Sequence, residues 1–382
     1  MFVSALSLTD FRNYEKLDLA LLPGPNLFVG SNGQGKTNLV EALGYLSTLG
    51  SHRVSSDQAM IRQGAQSAII RARLRHGERE LLAEVQLNRG SANRAQVNRS
   101  PIKTRELPRY CSTVLFAPED LALVRGEPSG RRRFMDELLV LRAPRMSGVI
   151  ADYERVLKQR NTLLKSARGL SGDRLGTLDI WDDRLVALGA EIIEARTRLV
   201  AELDPETTRA YREIAGAEHD ASLRNRLSVF GGGDDEESGE SRAGVVPAAT
   251  AAEAFRATLA RIRRSEVDRG LTLAGPHRDD LVLELNGMPA RITASHGESW
   301  SFALALKLAA AAVLRRESST GDPVLILDDV FAELDESRRG RLATAVGDFE
   351  QVLITAAVHG DVPRELTGHV VRIRAGRVVE DV

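Results

Sequence analysis

Cysteine is almost absent from this sequence. A single cysteine, Cys111, among 382 residues excludes an internal disulfide and any metal site built from several cysteines. No segment approaches the roughly 20 uninterrupted apolar residues that a membrane-spanning helix requires, and Lys307 interrupts the most apolar one, 302–314. The first residues show no basic start, apolar stretch and small-residue cleavage site. We therefore expect a cytoplasmic protein with no membrane partner and a buried Cys111.

The sequence also lacks an excess of charge of either sign and is poor in aromatic residues. Its formal net charge is −1 and its aromatic content is 4%, so any nucleic-acid site must be a local basic patch. Hydrophobic residues make up 43% and charged residues 27%, which is typical of a soluble globular protein. A length of 382 residues predicts either one large core with an insertion or two domains.

The hydrophobic pattern changes twice along the chain. Short strands are predicted in the first third and again after residue 270, at 5–8, 16–21, 26–29, 68–74, 81–87, 113–116, 271–273, 281–285, 324–327 and 352–355. Between them, helical spacing over 146–167 and 177–203 predicts an antiparallel helical arm. The acidic, glycine-rich segment 231–247 is predicted to be a mobile loop. The predicted domains are 1–120, 121–270 and 271–382, with the arm inserted between two parts of one α/β domain.

Residues 30–37 match the pattern G-x-x-x-x-G-K-[ST] between a predicted strand and a predicted helix. They are Gly30, Ser31, Asn32, Gly33, Gln34, Gly35, Lys36 and Thr37. The glycines let backbone N–H groups surround the β- and γ-phosphates of a nucleotide, and the helix N-terminus and Lys36 add positive charge. The Thr37 hydroxyl is the predicted Mg²⁺ ligand. The alternative is an accidental glycine-rich turn before a helix.

An apolar strand ends in a second pair of candidate residues, Asp328 and Asp329. A buried parallel strand brings its last side chains to the carboxyl edge of the sheet, where nucleotides bind in open α/β folds. Asp328 is predicted to hold the Mg²⁺ hydration shell, and Asp329 to polarise the attacking water. Without the upstream loop, the same pair is explained equally well as a helix N-cap.

A second anion site is predicted at Ser295 and Gly297, which precede the apolar helix 301–314. Since the chain already has one phosphate loop, this second site favours the γ-phosphate held by another subunit. The alternative is that Ser295 only caps its own helix.

At this point the sequence resembles the ABC-type ATPase heads, and within their SMC-like branch the RecF family of recombination-repair proteins. The resemblance covers nearly the whole chain. It rests on the runs DFRNY (10–14), GSNGQGKTN (30–38), TLGSHR (48–53), FAPEDL (116–121), RRRFMD (131–136), GPHRDD (275–280) and DDVFAELD (328–335).

The resemblance implies a DNA-binding ATPase that forms a homodimer around two ATP molecules. It implies that Ser295 and Gly297 complete the partner's site, that residues 332–335 communicate between the two sites, and that Arg12 and Asn13 approach the nucleotide. An aspartate at 329, where transporter ATPases have a glutamate, implies slow hydrolysis. The same resemblance implies action at single-strand gaps in DNA repair and replication and in the SOS response, with RecO and RecR, to assist loading of RecA.

Three basic clusters are candidate DNA contacts: the stripe 88–109, residues 131–133, and the group Arg261, Arg263 and Arg264. Each is also explained as an ordinary solvated face. The scarcity of aromatic residues among them favours recognition of a duplex backbone over base stacking. Two other functions stay open: an ABC transporter ATPase subunit, which would need a surface for membrane helices, and an architectural SMC-type clamp, which would need far longer coiled coils.

Overall fold

A computed structural model of the protein describes residues 1–167, 176–216, 219–231, 240–318 and 321–379. The chain divides into two compact units. The first comprises Met1–Leu121, Arg209–Glu218 and Ser295–Val382, and the second comprises Ala122–Thr208 and His219–Ala294. The first unit combines helices with two sheets, and the second combines helices with one sheet.

The first unit contains an antiparallel sheet in which apolar side chains alternate with polar ones. Buried residues occupy every second position of several strands and face the core, as a half-buried sheet requires. The strand order is β2-β1-β4-β5-β6-β7. The bounds are β1 Phe2–Phe11, β2 Tyr14–Ala20, β4 Ser67–His76, β5 Arg79–Asn88, β6 Arg94–Val97 and β7 Ser100–Ile102.

A second sheet in this unit is largely parallel and more deeply buried. Its strands are β3 Gly24–Val29, β8 Thr113–Phe116, β13 Val324–Asp328, β14 Gln351–Ala356, β15 His369–Arg374 and β16 Arg377–Val379, in the order β16-β15-β3-β14-β13-β8. Every residue of β13 and β14 is buried, which matches their largely apolar sequence. Because β3, β14 and β13 are parallel neighbours, their carboxyl ends meet at one edge.

The described residues of the first unit also include helices α1 Lys36–Thr48, α8 His296–Glu317 and α9 Glu336–Val346. Helix α8 is long and apolar enough to cross a membrane, but 72% of its most apolar window is buried inside the protein, as in the core helix of a soluble fold. Its Lys307 forms an ion pair with Asp120 at 2.9 Å and donates to the Leu115 carbonyl at the same distance.

Most of the other elements lie in the second unit. Its helices are α2 Leu121–Arg125, α3 Pro128–Arg142, α4 Met146–Ala167, α5 Gly176–Ala215, α6 Ala248–Arg269 and α7 Ala290–Thr293. Its four-stranded sheet has the order β10-β9-β11-β12, from β9 Ala221–Leu227, β10 Glu240–Arg242, β11 Asp280–Leu285 and β12 Met288–Pro289. The C-terminal turns of α5 belong to the first unit.

One local prediction is wrong. Residues 271–273 form no strand, because the N–H groups of Thr272 and Leu273 bond to the side chains of Asn161 and Glu266. The predicted mobile loop 231–247 contains β10, which pairs with β9. Val246 nearby is buried and donates to the Thr197 hydroxyl. Residues 232–239 of that segment lie outside the described residues, so the mobility of the loop stays a prediction.

The predicted domain boundaries stay a prediction. Strand β11, which the sequence assigned to the C-terminal part of the α/β domain, pairs along its whole length with β9. Backbone pairing of this kind couples the two strands, so the second unit continues to Ala294.

Candidate functional site

The loop 30–35 connects β3 to α1 and folds tightly at Gly35. This residue has φ 113°, in the left-handed region that favours glycine. A Cβ here would lie 2.7 Å from Asn13 Nδ2 and 2.9 Å from the Tyr14 hydroxyl. Tyr14 itself donates to the Gly35 carbonyl at 3.0 Å. The sequence pattern is therefore explained by close contact between this loop and the β1–β2 turn.

Lys36 begins helix α1 and is only 3% exposed. Its Nζ donates to the Gly30 carbonyl at 2.7 Å and to the Ser31 carbonyl at 3.3 Å. The ammonium group is thus held against the backbone of the loop. This is where the negative charge of a bound phosphate needs a counter-charge.

Asp328 lies at the end of β13, and the fold brings it to Thr37, 291 positions away in sequence. The hydroxyls of Thr37 and Thr355 both donate to Asp328 Oδ1, at 3.0 and 2.6 Å. His52 Nε2 lies 4.0 Å from the other carboxylate oxygen. Burial raises the pKa of Asp328 to about 6, and the neighbouring Asp329 charge adds to the shift.

Asp329 adopts a left-handed backbone conformation with φ 51°. A non-glycine residue in this region costs of the order of 1 kcal/mol. The Asp329 N–H donates to the Thr355 hydroxyl at 2.9 Å, so the same hydroxyl that bonds to Asp328 also fixes this turn. Strained backbone at the carboxyl edge of a sheet, beside a phosphate loop, is a feature of functional sites.

A cleft of about 590 Å³ lies beside the loop and is lined by Arg12, Asn13, Asn38, Arg53, Gln58, Ala59, Ile61, Gln63 and Arg89. Asn13 donates to the Gln34 carbonyl of the phosphate loop at 3.1 Å and accepts from Asn38 at 2.7 Å. Since Asn13 lines the cleft and also bonds to the phosphate loop, the cleft adjoins the loop.

Arg12 has its guanidinium group committed to Glu41, with two bonds of 2.8 and 2.6 Å. Burial opposes the charge of Glu41, but hydrogen bonds from Arg12 and Ser51 outweigh it and hold the pKa of Glu41 below its ordinary value. The charged pair therefore persists and fixes Arg12 at the wall of the cleft.

The donor set at this edge fits Mg²⁺ bound together with a nucleotide. Thr37 and Asp328 bring a hydroxyl and a carboxylate oxygen within 3.0 Å of each other, and Mg²⁺ is usually held by one or two protein oxygens plus phosphate oxygens and water. Within the described ranges, no group of three or more His, Cys, Asp or Glu side chains is arranged to hold a metal ion.

Comparison with known proteins gives a consistent family assignment. The family model "RecF/RecN/SMC N terminal domain" matches residues 2–373. A protein of Clavibacter michiganensis subsp. michiganensis named "DNA replication and repair protein RecF" is 66% identical over 394 residues, covering 100% of this chain and 96% of the relative. A protein of the same name from Leifsonia xyli subsp. xyli is 65% identical over 383 residues, with full coverage of both. The chain belongs to the RecF family.

Solved structures support the same assignment. A structure described as "the recombination mediator protein RecF-ATP in RecFOR pathway" has a TM-score of 0.88 and 27% identity, covering 100% of this chain and 98% of that one. An SMC head bound to the winged-helix domain of ScpA covers 99% of this chain and 97% of that one, with a TM-score of 0.54 and 14% identity, which shows the fold alone. The predicted fold class, an ABC-type, SMC-like ATPase head with an inserted helical arm, is confirmed.

In this RecF-family chain, Ser295 and Gly297 lie at the start of α8. Ser295 accepts a hydrogen bond from the Glu298 N–H at 3.3 Å, and Glu298 Oε2 accepts from the Ser295 N–H at 2.7 Å. This is a capping box, which gives Glu298 a defined role. A Cβ on Gly297 would lie 2.7 Å from Arg338 Nη1, so a larger residue would displace that arginine. Capping is thus present, and completion of a partner's site stays a prediction.

The predicted DNA cluster at 131–133 is wrong for Arg131. This residue is 4% exposed and forms a bidentate ion pair with Asp280 at 2.7 and 2.9 Å. Arg132 donates to the Asp279 carbonyl at 2.8 Å, and Arg133 pairs with Glu137 on its own helix. The sequence showed three adjacent cations but not the Asp280 carboxylate, which lies 149 positions away.

The run GPHRDD, which carried part of the resemblance, is also explained by packing within the second unit. Asp279 Oδ1 accepts from the Ser228 N–H and hydroxyl, both at 2.8 Å. His277 Nδ1 hydrogen-bonds to the Tyr153 hydroxyl at 2.7 Å. These polar contacts join the residue after β9, the segment that precedes β11, and α4.

Two residues of the candidate site were not predicted from the sequence. Thr355 was predicted only as the end of a strand, and no pattern distinguishes its hydroxyl from that of any buried threonine. Arg53, which lines the cleft and donates to Asn38 at 3.0 Å, lies in the run 48–53 that supported the resemblance, so that run contained a usable signal.

Proposed function

We propose that this chain is an ATP-dependent DNA-binding protein of recombinational repair. The observation that carries the proposal is the meeting of Thr37, from the phosphate loop, with Asp328, from the end of β13. A phosphate loop and a buried aspartate at the carboxyl edge of one parallel sheet form a nucleotide-triphosphate site. The 66% identity to a protein named for DNA replication and repair supports the biological setting.

Each residue of the site has a role that follows from its position. Lys36 neutralises the phosphate oxygens, and the loop N–H groups at the start of α1 bind them. Thr37 and Asp328 would hold Mg²⁺, which supplies positive charge for the developing negative charge on the phosphates. Asp329 orients water or accepts its proton, with its backbone fixed by Thr355. Arg12 and Asn13 line the cleft into which the nucleoside would extend.

The wider activity rests on the family. ATP binding drives two chains together, with Ser295 and Gly297 of each completing the site of the other. The dimer binds duplex or gapped DNA without sequence specificity and hydrolyses ATP slowly, with stimulation by DNA. With RecO and RecR it assists loading of RecA at gaps, in the cytoplasm. The transporter-subunit and SMC-clamp alternatives receive no support beyond the shared head fold, which the 14% identical SMC heads also have.

The shared site is testable by mixing two inactive variants. Lys36→Ala removes the phosphate counter-charge, and Ser295→Arg places a long cation where the partner's γ-phosphate would lie. Each homodimer then has two damaged sites. A mixed dimer places both lesions in one site and leaves the other intact, so we expect mixing to recover part of the ATPase rate.

A cap-preserving variant separates the two explanations for Ser295. Aspartate caps a helix about as well as serine, so Ser295→Asp preserves α8 but directs a negative charge at the partner's phosphate. We expect it to melt like the wild type and to lose ATP-driven dimerisation in size-exclusion chromatography. Wild-type dimerisation by Ser295→Asp, or no recovery on mixing despite demonstrated heterodimers, would refute the shared site.

A further inference from the structure

A group of exposed cations projects from the edge of the antiparallel sheet in the first unit. We define it as the basic prong, residues 94–109, which comprises β6, β7 and the following helical turn Thr104–Arg109. Its five cations are all exposed: Arg94, Arg99, Lys103, Arg105 and Arg109. The only carboxylate in the prong is Glu106. Across the described part of the chain, none of the five forms an ion pair.

The other two candidate clusters have most of their cations already engaged. Arg131 is buried against Asp280. In the third cluster, Arg263 pairs with Asp179 and Asp182, and Arg261 donates to a backbone carbonyl. A cation that already has a carboxylate partner must give it up before it contacts a phosphate. The structure therefore favours the prong over the other two basic clusters as a DNA contact, although the sequence offered no reason to choose among the three.

Arg99 lies at the tip of the prong in an unfavourable backbone conformation. It and Asn98 form the two-residue turn between β6 and β7, with φ values of 67° and 49°. Two-residue turns with both φ values positive favour Asn-Gly, since glycine takes the second position without strain. Asn98 accepts a bond from the Leu82 N–H at 2.8 Å, which explains its presence. Arg99 makes no such contact among the described residues. The exposed cation is therefore the property that an arginine provides at this strained position and a glycine would not.

The prong is anchored firmly enough to present these cations in fixed positions. The Asn98 N–H donates to the Leu82 carbonyl at 2.9 Å. At the base, Asn93 donates to Asp57 at 2.7 Å and accepts from Thr104 at 3.2 Å. Leu107 packs at 0% exposure into the core of the unit. The cations therefore stand on ordered backbone.

We propose that the basic prong binds the phosphate backbone of duplex DNA, an inference that rests on the proposed DNA-binding function. No aromatic residue lies within 94–109, which favours phosphate contacts over stacking on unpaired bases. A duplex carries one charge per about 1.7 Å of its axis, so it offers several phosphates to cations spread over two short strands and a turn.

The test measures binding of a labelled duplex at increasing salt, with ATP, to the full-length protein. The variant is Arg94→Gln/Arg99→Gln/Lys103→Gln. We expect weaker binding and a log–log salt slope smaller by about 2 to 3, because each lost phosphate contact contributes about 0.9. The matched control is Arg155→Gln/Arg198→Gln/Arg256→Gln, which removes three exposed arginines that already face carboxylates, and its slope should match the wild type.

Arg99→Gly gives a second readout that a structural role would not produce. Glycine relieves the strained turn, so the melting temperature should rise while DNA affinity falls. An unchanged salt slope in the triple variant, beside wild-type protein that binds DNA, would overturn the prong and leave the proposed function intact. Absence of ATP-dependent DNA binding by the wild type would instead overturn the proposed function and the prong with it. Loss of binding to polyglutamate with unchanged DNA binding would reassign the prong to an acidic protein.

Discussion

Replacing Arg131 with methionine should destabilise the second unit rather than weaken a DNA contact. The guanidinium bonds to both oxygens of Asp280, and its Nη1 donates to the carbonyls of Leu123 and Gly126 at 3.2 and 2.9 Å. Both side chains of the ion pair are almost fully buried, at 4% and 8% exposure. The substitution leaves Asp280 as a buried, unpaired charge and two carbonyls without their donor.

The expected magnitude follows from that burial. Removing one partner of a buried ion pair costs about 3–5 kcal/mol, because the remaining charge keeps its desolvation penalty and loses its compensation. Arg133 is the matched control on the same helix, since its side chain is 57% exposed and pairs with Glu137 one turn away. Arg133→Met should therefore change stability by about 0.5 kcal/mol or less.

The assay is urea denaturation followed by fluorescence of Trp181, which lies in the second unit, in a Trp300→Phe background. A second substitution tests whether the unpaired charge causes the loss of stability. Because Arg131→Met/Asp280→Leu leaves no unpaired charge, it should be more stable than Arg131→Met alone. A loss below about 1 kcal/mol for Arg131→Met, or a double variant whose loss equals the sum of the single ones, would refute the argument from desolvation.

Three further outcomes are expected. Thr355→Val removes the hydroxyl that bonds to Asp328 and to the Asp329 N–H, so ATP hydrolysis should fall at least tenfold while equilibrium ATP binding persists; an unchanged rate would show that these aspartates are held otherwise. Burial raises the pKa of Asp279 to about 6, from an ordinary value near 4, so the native state keeps this proton longer than the unfolded chain. The protonated Asp279 carboxyl thus stabilises the native state below about pH 4, and this contribution is lost as the pH rises through 6. The stability of the wild type relative to Asp279→Asn should therefore fall by about 2–3 kcal/mol between these pH values. A difference that does not change with pH would contradict this prediction. Burial raises the pKa of Cys111 to about 12, so a thiol reagent should label it only after unfolding, and rapid labelling of native protein would show that the site opens.

The sequence predicted the candidate site best where function depends on local chain geometry. The loop 30–37 needs glycine at Gly35, a lysine at Lys36 and a hydroxyl at Thr37 within one turn of chain, and such short-range requirements leave a readable pattern. The buried strand before Asp328 was readable for the same reason, since a strand covered on both faces must be continuously apolar. Deeply buried strands and the helix at 146–167 were predicted close to their observed bounds, whereas the helix predicted at 177–203 continues to Ala215.

Partners distant in sequence were decided only by the tertiary structure. The carboxylate that pairs with Arg131, the hydroxyl of Thr355 that joins Asp328 to Asp329, and the pairing of β10 with β9 all arise from segments that meet in space. A sequence pattern records which cations lie near one another along the chain, but their availability to DNA depends on whether a carboxylate lies opposite each of them. For that reason the sequence left three basic clusters as equal candidates. The ion pairs among the described residues favour the prong, whose five cations have no carboxylate partner there.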